Sequence, residues 1–321
     1  MFVLYLNLAL SLVHLRTDKA FTITANLSKG RDAKLKGLPD RMAASYRKGV
    51  LSMKKFYLML LTIFVMATSV QITSAQAAAT ETGWLNTSQL NQGIIGVQYD
   101  VPKDKRIKLM ITKGSNSYTY NLYASGQAEE FPLQQGNGSY KVSVLENTTG
   151  NKYKALYSEV VDLSLNDASA VYLSSVQNVK WSSSNKAILK AKQLTQGKTT
   201  DQEKVKAIYN YIVANVQYDY TLANNVTTDY IPNIDNTLAS KKGICYDYSS
   251  LFAAMLRSVD IPAKLVMGNS TYVTQYHAWN EVLLNGKWVT IDTTVDAGLV
   301  KGNKAVDLIK NSTKYTAVKY Y

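Results

Sequence analysis

The chain has 321 residues, 46% of them hydrophobic and 18% charged, with 5 prolines and a single cysteine. That composition excludes a disordered chain and an internal disulfide, and its length leaves room for about two domains at roughly 150 residues each. The formal charge of +13 invites a nucleic-acid or anionic-surface partner. However, residues 1–77 hold 11 Lys and Arg against 3 Asp and Glu, while the other 244 hold 25 against 20, so no nucleic-acid partner is expected.

Residues 53–77 have the three parts of a signal peptide. Lys54 and Lys55 follow Met53, Phe56 to Val70 is a largely apolar run of 15 residues, and Ala75-Gln76-Ala77 fits a small-x-small cleavage site. The run is short for a membrane span of about 20 residues. The expected product is secreted or bound to the cell surface or cell wall, cleaved after Ala77. Membrane contact is expected only through the segment while it remains uncleaved. No cysteine follows the site, which argues against a lipid anchor. A signal peptide normally starts a chain, so residues 1–52 are expected to be a start-site overcall or a disordered extension. The rival reading keeps Met1 and makes 56–70 an internal anchor.

Residues 78–182 read as a β-rich accessory domain. The runs 93–101, 106–114, 117–124, 139–147 and 154–165 are rich in β-branched and aromatic residues, and 170–181 continues the pattern. Gly, Asn, Asp and Pro punctuate the gaps, as expected of an antiparallel sandwich. No cluster in this stretch suggests chemistry, so docking or spacing is its expected role.

Residues 183–321 form the second predicted domain. The segment 182–200 reads as a partly helical join. Thr200 to Glu203 is a capping box that opens a helix. Val205, Ile208, Tyr209, Ile212, Val213 and Val216 then follow at helical spacing, as a core stripe does. A loop is expected from there to Cys245. From Cys245 the spacing is helical again, with Leu251, Phe252, Met255, Leu256 and Val259 on one face and Pro262 past the end. Cys245 therefore falls in a first helical turn. Free N–H groups and the positive end of the helix dipole favour a thiolate there, and the same amides can bind a developing oxyanion.

His277 is the one histidine after Met53. Asn285-Gly286 between apolar runs is a strong two-residue hairpin signal. It fixes a register in which Leu284 faces Lys287, Leu283 faces Trp288, Glu281 faces Thr290 and Trp279 faces Asp292. His277 shares the face of Trp279, which makes Asp292 its diagonal neighbour at roughly 7–8 Å between backbones. The other face, Val282, Leu284, Val289 and Ile291, is apolar and needs a partner, for which the Cys245 helix is the natural choice. These residues spell a triad: Cys245 attacks a carbonyl, His277 manages the proton, and Asp292 holds the imidazole. One Cys and one His do not fill a zinc site, so no metal is expected.

Three stretches resemble the transglutaminase-like superfamily, in particular its secreted bacterial members. They are GICYDYSSLFAAMLRSVDIPAKLVMG (243–268), YHAWNEVLLNGKWVTIDTT (276–294) and, more weakly, the end of the preceding helix at VQYD (216–219). The resemblance covers about 120–140 residues and not the β region. It implies an α+β, papain-like core, with N-terminal helices packed on an antiparallel sheet, behind the sandwich-like β domain. It also implies Cys245, His277 and Asp292 as the triad, with an oxyanion donor upstream of the nucleophile. Tyr218 is the candidate for that donor. Asp247 is expected to be structural. Thr293 stands where the family commonly has proline, which should relax the strand end. The reaction class implied is thioester chemistry on protein or cell-wall peptide amides: acyl transfer to an amine, or hydrolysis by a cysteine peptidase or amidase. No cofactor is implied, and Asp229 and Asp235 are too sparse for a calcium loop. A non-catalytic surface-binding module is the alternative from another class.

Overall fold

A computed structural model describes residues 83–123 and 128–321, and these belong to one compact unit. The predicted signal segment 53–77 and residues 1–52 lie outside the described residues. Among the described residues no helix is long and apolar enough to cross a membrane.

Seven strands come first: β1 (Leu85–Asn86), β2 (Ile94–Val97), β3 (Ile107–Lys113), β4 (Asn116–Leu122), β5 (Glu129–Pro132), β6 (Gly138–Thr149) and β7 (Lys152–Leu163). They make two antiparallel sheets, of order β1-β2-β5 and β4-β3-β6-β7. In β3, Ile107, Leu109 and Ile111 alternate inward, as the two-residue period of a half-buried strand requires. The predicted strand over 170–181 does not form. Asp167 accepts from Ser169 N at 2.8 Å and opens a 3-10 helix over Ala168–Leu173 instead, and only Val176 and Val179 form a bridge. A local side-chain cap here competes successfully with strand pairing.

The remainder is α+β. Helix α1 (Lys186–Thr195) and helix α2 (Asp201–Asn215) lead to the short strand β8 (Gln217–Tyr218). Thr200 and Glu203 form the expected capping box, and Val205, Ile208, Tyr209, Ile212, Val213 and Val216 are all buried. The stretch expected to be a loop contains two short helices, α3 (Tyr220–Asn225) and α4 (Ile234–Ser240), capped by Asp219 and Asn233. Asp235 is occupied in capping: its carboxylate accepts from Ala187 N at 2.9 Å and Lys186 N at 3.2 Å at the start of α1.

Strand β9 (Lys242–Gly243) pairs in parallel with β8 and runs straight into helix α5 (Cys245–Arg257). Strands β10 (Ala263–Ser270), β11 (His277–Leu284) and β12 (Lys287–Ile291), helix α6 (Thr293–Lys301) and strand β13 (Tyr315–Tyr320) complete the chain. The second four-stranded sheet has the order β12-β11-β10-β13 and is antiparallel throughout. Its β11–β12 register is the one read from Asn285-Gly286, with both turn residues at positive φ, as a type I′ turn demands. The apolar side chains of the strand region and of the α+β region belong to one continuous hydrophobic cluster.

Candidate active site

Helix α5 and strand β11 start side by side. Asn280 Nδ2 donates to Ser249 O and to Lys264 O, both at 3.0 Å, which ties the middle of the helix to the middle of the strand. Counting back from that tie brings Cys245, the first residue of α5, and His277, the first residue of β11, to the same end. Cys245 is partly exposed, whereas His277 is buried.

His277 Nε2 donates to Asp292 Oδ2 at 2.8 Å, which leaves Nδ1 to serve the Cys245 thiol. Burial alone would lower the His277 pKa, but the hydrogen bond and charge of Asp292, with those of Cys245, outweigh it and raise the value to about 9. These neighbours favour the protonated ring. Asp292 is fully buried and caps α6 as well, its Oδ1 accepting from Val295 N at 3.0 Å. Thr293 consequently does not relax a strand end. It is the first residue of a helix, a position that tolerates proline and threonine alike.

The start of α5 is built with equal care. Asp247 is buried; its Oδ2 accepts from Ile244 N at 2.8 Å and its Oδ1 from Tyr230 OH at 2.6 Å. Burial raises its pKa, against the pull of those two donors. A Cβ at position 243 would lie 2.6 Å from Asp247 Cβ, so the bare Gly243 makes room for the capping carboxylate. Asp247 is thus a helix cap that aims Cys245, in line with its expected structural role. Tyr218 sits opposite Gly243 in the β8–β9 pair, with its ring 5.0 Å from Tyr220. That pairing sets it two residues from Cys245 across the strands, and its phenol pKa is raised first by burial and then by the charge of Cys245. The structure therefore brings all four predicted site residues together.

Sequence reasoning missed Tyr230 and Tyr315. Tyr230 lies in the stretch read as loop. Tyr315 lies 23 residues beyond Asp292 and nevertheless donates to its Oδ2 at 3.0 Å. Neither position carries a local signal, because both contacts are long-range. Among the described residues no group of three or more Asp, Glu, His or Cys could hold a metal ion.

Residues 189–293 match the family model of the transglutaminase-like superfamily. That segment is therefore similar to the transglutaminase-like core. That core is 33% identical over 117 residues to kyphoscoliosis peptidase of Homo sapiens, and 32% identical to the Mus musculus protein. The alignment covers 33% of this chain and only 18% of the length of those relatives. Among solved structures, a proposed cysteine protease from Cytophaga hutchinsonii aligns at 18% identity over 70% of this chain and 73% of its own, with a TM-score of 0.40. Red sea bream transglutaminase aligns at 12% identity over 62% of this chain and 47% of its own, with a TM-score of 0.26.

Proposed function

We propose that this protein is an exported, cysteine-dependent acyl-transfer enzyme that acts on protein or cell-wall peptide amides through a thioester on Cys245. The observation that carries the reading is the array of a partly exposed thiol, a buried imidazole and a buried carboxylate 2.8 Å behind it. In this mechanism the Cys245 thiolate attacks the amide carbonyl and forms the carbon–sulfur bond. The free amides of the first turn of α5, with Tyr218, take the developing oxyanion. His277 Nδ1 then gives its proton to the leaving nitrogen as the carbon–nitrogen bond breaks, and the thioester remains. In the second half His277 takes a proton from the acceptor, which attacks the thioester and releases Cys245. Asp292 keeps the ring oriented and balances its charge in both halves. An amine acceptor gives cross-linking, and water gives hydrolysis. Export rests on the signal-like segment 53–77 alone.

One incubation of the purified protein with a glutamine-bearing protein and a labelled amine tests this. Amine incorporation identifies a transferase; ammonia release or new termini without incorporation identifies an amidase or peptidase. Either activity must vanish in Cys245→Ala. Cell-wall binding that survives Cys245→Ala, with no activity on any amide, would instead establish a binding module.

A further inference from the structure

The carboxylate of Asp292 receives three donors. Oδ1 takes Val295 N, while Oδ2 takes both His277 Nε2 at 2.8 Å and the Tyr315 hydroxyl at 3.0 Å. Tyr315 opens β13, outside the segment matched by the family model. It reaches the site through a local irregularity of the sheet. Strand β13 pairs with β10, Tyr315 opposite Ser270, and a register shift falls between Met267 and Gly268. Gly268 in turn lies opposite His277 on β11. A Cβ at Gly268 would collide with Thr316 O and come within 3.0 Å of Trp279 Cη2. The bare glycine lets β13 and the Trp279 indole close over this position. The Tyr315 ring rests on Trp279 with centroids 5.0 Å apart, and on Tyr272 at 5.6 Å.

We propose that Tyr315 is a positioning residue for the Cys245 reaction: its hydroxyl pins Asp292 Oδ2 and shares the charge of that oxygen, so that the shared proton stays on His277 Nε2 and the ring stays aimed at the thiol. This rests on the acyl-transfer reading above. The phenol is suited to the task, because burial and the Asp292 charge hold its pKa well above the ordinary tyrosine range and the hydroxyl remains a donor. The other ionisable groups around the pair are Cys245 from α5, Tyr209 from α2, Tyr272 from the β10–β11 connection, and Asp296 from α6 with its buried partner Lys310. None of these donates to Asp292 Oδ2. Without the Tyr315 hydroxyl, Oδ2 keeps a single donor, becomes more basic and holds the imidazolium more tightly.

The test is a histidine NMR titration of the full chain. It contains two histidines, so a His14→Gln background leaves His277 alone. Tyr315→Phe keeps the ring against Trp279 and removes only the hydroxyl. The His277 midpoint should rise by about half a pH unit. The turnover of the Cys245-dependent reaction should fall about tenfold, with KM within about twofold. Tyr272→Phe, which leaves Asp292 untouched, should change neither. A folded Tyr315→Phe protein with an unmoved His277 midpoint and unchanged turnover overturns the proposal. Should that variant not fold, fluorotyrosine at position 315 supplies a stronger donor and must lower the His277 midpoint; no movement again overturns the proposal. If the wild type shows no Cys245-dependent activity, the acyl-transfer reading fails, and the His277 titration still decides whether Tyr315 controls the pair.

Discussion

The strand region Leu85–Leu163 and the region from Thr237 onward bury different chemistry. Among the described residues, Ser143 is the one buried polar side chain in those strands, and it is satisfied by Ser158 at 2.8 Å. Of the fourteen buried polar residues, eleven lie at or beyond Thr237, including Asp247, Arg257, His277, Asn280, Asp292 and Asp296. A buried polar group costs stability unless it is hydrogen-bonded, and a buried charge costs more. The strand region avoids that cost and is held by apolar alternation. The α+β region accepts it, and hydrogen bonds such as those of Asp247, Arg257 and Asp292 offset part of it. Changes in the two regions should therefore separate stability from chemistry.

Asp292→Asn should have the largest effect. The amide cannot anchor His277 in the required tautomer, so turnover falls by roughly 10⁴-fold, as the loss of the equivalent group in a catalytic triad does. Steady-state kinetics on the active substrate checks it, and a loss under about tenfold would break the contrast drawn above. Leu109→Ala, in the apolar half, should do the reverse. Leu109 is fully buried, so truncation destabilises by about 2–5 kcal/mol in urea unfolding, with turnover unchanged well below the transition. One apolar cluster spans both regions, so a single cooperative transition is expected.

The pH dependence sharpens the comparison further. The folded His277 pKa of about 9 lies above its ordinary 6.5. The pairing therefore stabilises the fold fully below pH 6.5 and loses that contribution as pH rises through 9. Activity that needs the imidazolium as acid should fall through the same window, and thermal melts should show Tm falling with it. His277→Gln should flatten that part of the stability profile, whereas Leu109→Ala should shift the profile down without changing its shape. The smallest effect is expected for Thr200→Ala, which removes the capping box of α2. The cost is about 1 kcal/mol in unfolding, with no change in turnover.

Much of the site was legible because its signals are local. The capping box at Thr200, the stripe from Val205 to Val216 and the helix from Cys245 follow from three- and four-residue spacing. The Asn285-Gly286 turn set a register that put Asp292 within reach of His277, because a two-residue hairpin leaves one pairing open. The errors were also local competitions. Asp167 turned an apparent strand into a 3-10 helix, and Asp219 and Asn233 capped helices in an apparent loop.

By itself, the sequence determined the helices that open at Thr200 and Cys245, the hairpin register and the nearness of Asp292 to His277. Only the tertiary structure decided how those residues are held. It brought Tyr230 to Asp247, Asp235 to α1 and Tyr315 to Asp292, across separations of 17, 48 and 23 residues. The Tyr315 contact depends on strand order, a bulge and the bare glycine at 268, none of which leaves a periodic trace along the chain.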